Sequence, residues 1–148
     1  YYKNLLPCSS FTFHKRTPDR ETYSFTDKFE AIVSVDSTLG YEVLSRGGKL
    51  AMFGGILGKL YPLSTLRYGW PNDLPNSGCF WTDSLKRNDW KDVLNYVLNT
   101  DKEEWDKNCQ PYIEKSIVYD YGNTKLISLL RKLDAPLNEK YLDDSLNL

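Results

Sequence analysis

The segment AIVSVDSTLGYEVLSRGGKLAMF, residues 31–53, constrains the fold more than any other part of the chain. AIVSV, residues 31–35, is a short β-branched run of the kind that forms a buried strand. STLGYEVLSR follows with helical spacing of its apolar side chains, enough for about three turns. Gly47 and Gly48 stop that helix, and KLAMF, residues 49–53, is a second apolar run of strand length. Upstream, SSFTFHK alternates with Phe11 and Phe13 on one face, as a strand does, and Pro18 suits the first turn of a helix carrying Tyr23, Phe25 and Phe29. Strand, helix, strand, helix, strand at this spacing predicts an α/β chain with a mostly parallel sheet and crossover helices.

The following stretch, GGILGKLYPLSTLRYGWPNDLPNSG, is rich in Gly, Pro and Asn and reads as a long loop, and loops of that length tend to carry function. GCFW, residues 78–81, is expected to form another short strand. Helices are expected over 87–99, 101–116 and 122–133, giving a helical C-terminal part. Residues 1–135 then form one domain and 136–148 a loose polar tail. At 148 residues the chain has room for one core, and 41% hydrophobic residues are sufficient to fill it.

Charge and cysteine content narrow the function classes. A net charge of −1 gives no overall basic field to attract nucleic acid. No apolar run approaches about 18 residues, so no transmembrane segment is expected. The opening YYKNLLPCSS lacks the basic region and long apolar core of a signal peptide. The abrupt start without Met suggests a fragment or a processed chain. Cys8, Cys79 and Cys109 form no close pair in sequence and fit neither a disulfide framework nor a zinc site, so they read as reduced thiols in a cytosolic protein. Aromatics at 14% exceed what a core of this size needs, which leaves some to line a cleft or face a partner.

The chemistry-bearing junction is the turn from the 31–35 strand into the helix. In an open parallel sheet ligands bind at the carboxyl ends of strands, and Ser37 lies at such an end. The first N–H groups of the helix have no intrahelical partner, and the helix dipole adds partial positive charge there. A phosphate would receive N–H bonds from residues 38–40, including Leu39, and a hydroxyl bond from Ser37 or Thr38. Gly40 would let a bulky ligand approach closely. Glu42, about one turn on, can accept hydrogen bonds from a ribose diol, which suits a nucleotide better than bare phosphate. The same residues also make an ordinary N-cap, and spacing alone leaves both readings open.

Other candidates have similar alternatives. His14, Lys15 and Arg16 could reach the same mouth and neutralise a pyrophosphate, or form a solvated strand end. Arg67, Tyr68 and Trp70 suit stacking on a base or sugar, while Trp70 could equally plug the domain edge. Asp120 and Asn123 read as caps, Trp81, Trp90 and Trp105 as packing, and the acidic runs near 101–106 and 143–144 as solvated faces.

DKFEAIVSVDSTLGYEVLSRGGKLAMF resembles the nucleotide-sugar-binding half of GT-B glycosyltransferases, most closely bacterial capsule or lipopolysaccharide biosynthesis proteins. The shared positions are Ser37, Thr38, Gly40, Glu42, Gly47 and Lys49. YGWP (68–71), GCFW (78–81) and YDYGN (119–123) look like later blocks of the group, and the likeness spans roughly residues 21–133. The resemblance implies a Rossmann-like three-layer domain that holds a nucleotide-sugar donor. Ser37 and Thr38 would contact phosphate and Glu42 ribose, and no metal or other cofactor would be needed. It further implies a glycan or lipid-linked acceptor, an N-terminal acceptor domain missing from this chain, and a cytoplasmic location or one at the inner face of the membrane. Some relatives carry a His-Pro pair on the preceding strand, where His14 is here followed by Lys15 and Arg16. A sugar-nucleotide epimerase of the same fold and a non-catalytic interaction domain are the alternatives.

Overall fold

A computed structural model describes residues 12, 14, 21–35, 37–55, 67–69 and 73–133. The described elements run in the order α1 (Glu21–Thr26), β1 (Ala31–Ser34), α2 (Thr38–Ser45), β2 (Lys49–Phe53), β3 (Trp81–Thr82), α3 (Arg87–Asn99), α4 (Lys102–Ser116), a 3-10 turn (Tyr121–Asn123) and α5 (Thr124–Lys132). The three strands form a parallel sheet in the order β1-β2-β3. The chain is therefore α/β, as the sequence pattern predicts. Of the strand expected over residues 9–15, only 12 and 14 are described and neither is in a strand; the first part of the long loop and the tail from 134 lie outside the described residues.

Register explains how the sheet is covered. Ser34 pairs with Met52 and Met52 with Trp81, which puts these three side chains on one face. Val33, Ala51, Phe53 and Thr82 share the other face. Gly40 of α2 approaches Met52 on the first face, and Trp90 of α3 stacks on Phe53 on the second, with ring centroids 5.0 Å apart. Leu50 to Phe53 are consequently all buried, the continuous apolar run expected of a central parallel strand.

β1 departs from the buried strand expected of AIVSV. Ser34 is buried, but Val33 is 60% exposed and Val35 48%. Among the described residues β1 is the outer strand of the sheet, and α3 packs over β2 and β3. β3 is also shorter than GCFW and shifted to Trp81–Thr82, with Phe80 buried directly before it. Its carbonyl still accepts the Met52 N–H at 2.8 Å. α2 runs for 8 residues, one turn short of expectation.

The core centres on aromatics. Phe80 and Trp81 meet Tyr68, Trp105 and Tyr112 through ring contacts of 4.9–5.5 Å, joining β3 to α4 and to the short segment 67–69. Trp81 is held in register by its indole N–H, which donates to the Pro75 carbonyl at 3.0 Å. Trp81, Trp90 and Trp105 thus pack as expected. α5 differs: Leu126, Leu129 and Leu133 are exposed, as are Val118, Tyr119 and Tyr121 just before it. Among the described residues, no helix is long and apolar enough to cross a membrane.

Candidate functional site

β1 delivers the chain to α2 at the carboxyl edge of the sheet, and the turn is held by two serines. The Ser37 N–H donates to the buried Ser34 hydroxyl at 3.3 Å. Ser37 then caps α2 with extended backbone (φ −95°, ψ 135°), its hydroxyl accepting the Leu39 N–H at 3.3 Å. The Gly40 N–H donates to the Ser37 carbonyl at 2.9 Å. Ser37 and Thr38 are exposed, and Leu39 and Glu42 half-buried. A phosphate at this terminus would therefore compete with the Ser37 hydroxyl for the Leu39 N–H, a long bond and a weak competitor.

Gly40 is buried and faces the sheet. A Cβ built there would lie 2.9 Å from Met52 Cε and 3.1 Å from Ser34 Cβ. The missing side chain thus serves close approach of α2 to β1 and β2, whereas the sequence reading assigned the space to a ligand. One helical turn on, the Glu42 carbonyl accepts the Arg46 N–H and the Ser45 hydroxyl. Lys49, part of the same motif, donates its ammonium to the Thr100 carbonyl and so anchors β2 to the α3–α4 connection.

The exits of β2 and β3 complete this end of the sheet. Gly55 follows β2 so closely on the β3 exit that a Cβ would lie 1.9 Å from the Asp83 carbonyl oxygen. Asp83 directly follows β3, and its Oδ1 is shielded from solvent with no hydrogen-bond partner. Burial pushes its carboxyl above the usual range, against a hydrogen bond from the Tyr68 N–H and the charge of Arg67. Segment 67–69 thereby joins the site. Tyr68 is buried, stacks on Tyr41 of α2 at 5.5 Å, and shares a 2.8 Å hydrogen bond with Ser116, while the Gly69 N–H donates to the Tyr41 hydroxyl. Arg67 is paired with Asp73 at 3.0 Å.

The structure therefore gathers Ser37, Thr38, Leu39, Gly40 and Glu42 on one helix start. It also links Arg67 to that helix through Tyr68, Gly69 and Tyr41. Tyr68 is core rather than a stacking platform. His14 is exposed and contacts Phe25 of α1, with ring centroids 4.4 Å apart. Among the described residues no hydrogen bond or ring contact joins His14 to Ser37–Glu42. Lys15, Arg16 and Trp70 lie outside them. Asp83 was missed by the sequence reading, although an acid directly after a strand in FWTDS was a usable signal. Among the described residues no three His, Cys, Asp or Glu side chains are close enough to hold a metal ion.

Of the expected caps further along the chain, Asp120 caps α5 with its side chain, whereas Asn123 takes the N-cap position with no side-chain cap bond. Asp120 accepts the Lys125 and Leu126 N–H groups and the Thr124 hydroxyl at the start of α5. Asn123 sits there in the left-handed region at φ 54°. Cys79 and Cys109 are free thiols, as the sequence reading has them, and the fold brings their sulfurs to 3.1 Å apart.

A family profile described as "putative O-antigen biosynthesis protein" matches residues 1–134. The chain belongs to that family, and the family's description places it in surface-carbohydrate biosynthesis. Neither a curated protein nor a solved structure matches the chain.

Proposed function

We propose that this chain is the donor-holding part of a glycosyltransferase that moves a sugar from a nucleotide to a surface-carbohydrate acceptor. The observation that carries the reading is the start of α2. An exposed Ser37-Thr38 cap lies at the carboxyl end of a parallel strand, in a chain of an O-antigen biosynthesis family. Placement of α2 and α3 against opposite faces of β2 supports a Rossmann-like three-layer domain of the GT-B kind, with residues 1–135 as one unit.

In this reading the donor phosphate sits at the α2 N-terminus, on the Thr38 and Leu39 N–H groups and the two hydroxyls. Glu42 takes the ribose diol. Lys15 and Arg16 offset phosphate charge, and His14, Arg67 and Trp70 contact base or sugar. No metal is required, because helix N–H groups and basic side chains hold the leaving phosphate. The acceptor is a glycan or lipid-linked sugar met by a second domain, at the cytoplasmic side of the membrane.

The test is a thermal-shift or NMR screen of the folded chain against CMP, UDP, GDP and their sugars. One nucleotide class is expected to bind, and Glu42→Ala to weaken it roughly tenfold or more, the scale of a lost hydrogen bond to a charged group. Absence of binding by every nucleotide, or binding untouched by both Glu42→Ala and Ser37→Ala, would sink the proposal.

A further inference from the structure

Cys79 and Cys109 are separated by 29 residues of chain, yet the fold sets them together. Cys79 stands in the segment leading into β3, directly before Phe80, and Cys109 on the inner face of α4. Their sulfurs are 3.1 Å apart, inside ordinary sulfur contact, and both are free thiols. Disulfide formation requires the two atoms to close by about another 1 Å, a small movement for side-chain rotation.

The two thiols are unequal. Cys109 is fully buried. Cys79 is half-buried and lines a groove of about 340 Å3 between the β3 approach and α3, whose walls include Ser77, Thr82, Asp89 and Tyr96. A small oxidant can therefore reach Cys79 and not Cys109. Electrostatics agree with that order. The hydrogen bond from Cys109 holds Cys79 below an ordinary thiol, against the effect of burial. The same bond, with burial, pushes Cys109 up.

We propose that Cys79 and Cys109 form a reversible dithiol–disulfide pair, with Cys79 the attacking thiol and Cys109 the resolving one. The oxidant is a peroxide. The Cys79 thiolate attacks one peroxide oxygen, an S–O bond forms and the O–O bond breaks. Cys79 becomes a sulfenic acid, and the departing hydroxide takes up the proton that Cys79 released to solvent on ionising, and leaves as water. Cys109 then attacks the sulfenic sulfur. The S–S bond forms, the S–O bond breaks, and the Cys109 proton leaves with that oxygen as a second water. Two thiols and one peroxide give one disulfide and two waters. A dithiol reductant reverses the change by exchange. The bridge would tie the entry of β3 to α4, which also packs against α2. This inference stands independently of the nucleotide site.

The test uses the full chain, fully reduced and then titrated with hydrogen peroxide. Two of the three thiols are expected to disappear together, with the mass falling by two hydrogen atoms and digestion yielding one peptide joined through Cys79 and Cys109. Dithiothreitol should restore both thiols, and the oxidised chain should melt at least about 5 °C higher, since the bridge closes a loop across the core. Cys109→Ser should stall at a Cys79 sulfenic acid that dimedone traps, and Cys79→Ser should leave Cys109 unreactive. The proposal is overturned if Cys79 proceeds to sulfinic acid while Cys109 stays free, if the bridge runs through Cys8, or if Cys109 reacts equally fast without Cys79. Mapping on the unmodified sequence decides the matter even if a variant does not fold.

Discussion

At the residue scale, the strand exits are where single atoms matter most. Gly55→Ala would drive a Cβ into the Asp83 carbonyl, 1.9 Å away, and backbone cannot rotate aside as a side chain can. A loss of more than about 2 kcal/mol is expected in urea unfolding. Gly40→Ala meets the flexible end of Met52 at 2.9 Å and should cost less, about 1 kcal/mol. Asp83 gives a pH prediction. Its carboxyl is raised by burial in the folded chain, so its ionisation opposes folding. The neutral form is favoured below the unfolded carboxylate value, and that advantage is lost as pH rises through the raised folded one. Asp83→Asn keeps an acceptor for the Tyr68 N–H without the charge. Its stability relative to the parent should therefore rise over that acidic window and level off above it, as urea midpoints at a series of pH values would show. Ser37, Thr38 and Glu42 were legible in the sequence because cap chemistry is local. Asp83 was not singled out, since its desolvation depends on Arg67, Tyr68 and Gly55 being folded over it.

At the element scale, the helix starts differ in the length of their cap bonds. Asp101 caps α4 with a 2.8 Å bond to the Glu104 N–H, and Asp101→Ala should cost about 1 kcal/mol. Ser37 caps α2 through a bond of 3.3 Å, so Ser37→Ala should cost less, about 0.5 kcal/mol by thermal melting. If that variant keeps its stability and loses nucleotide affinity, the hydroxyl is there for the ligand. α3, α4 and β2 were readable nearly to the residue, because each combines a cap or breaker with a sustained apolar period. β3 and β1 were less so. A two-residue strand has no period to read, and no local pattern tells that a strand lies at a sheet edge with Val33 and Val35 facing outward.

At the scale of the whole molecule, one aromatic cluster joins β3, α4 and segment 67–69. Trp81→Ala removes the member that touches Tyr68, Phe80 and Tyr112 at once and should cost about 3–5 kcal/mol, measured as a lowered urea midpoint. Against a total stability of roughly 5–15 kcal/mol, that would leave the chain close to unfolding. The sequence by itself determined the α/β class, the parallel strand–helix–strand unit of 31–53 and the serine-capped junction, since propensity, glycine stops and caps act over a few neighbouring residues. Its family likeness also pointed to surface-carbohydrate biosynthesis. Only the tertiary structure decided that Gly40 serves helix–sheet contact, that Tyr68 is core, that the Asp83 carboxyl is desolvated at the strand exits and that Cys79 meets Cys109. Each of those depends on residues far apart in the chain brought together by packing, and no local pattern encodes such a meeting.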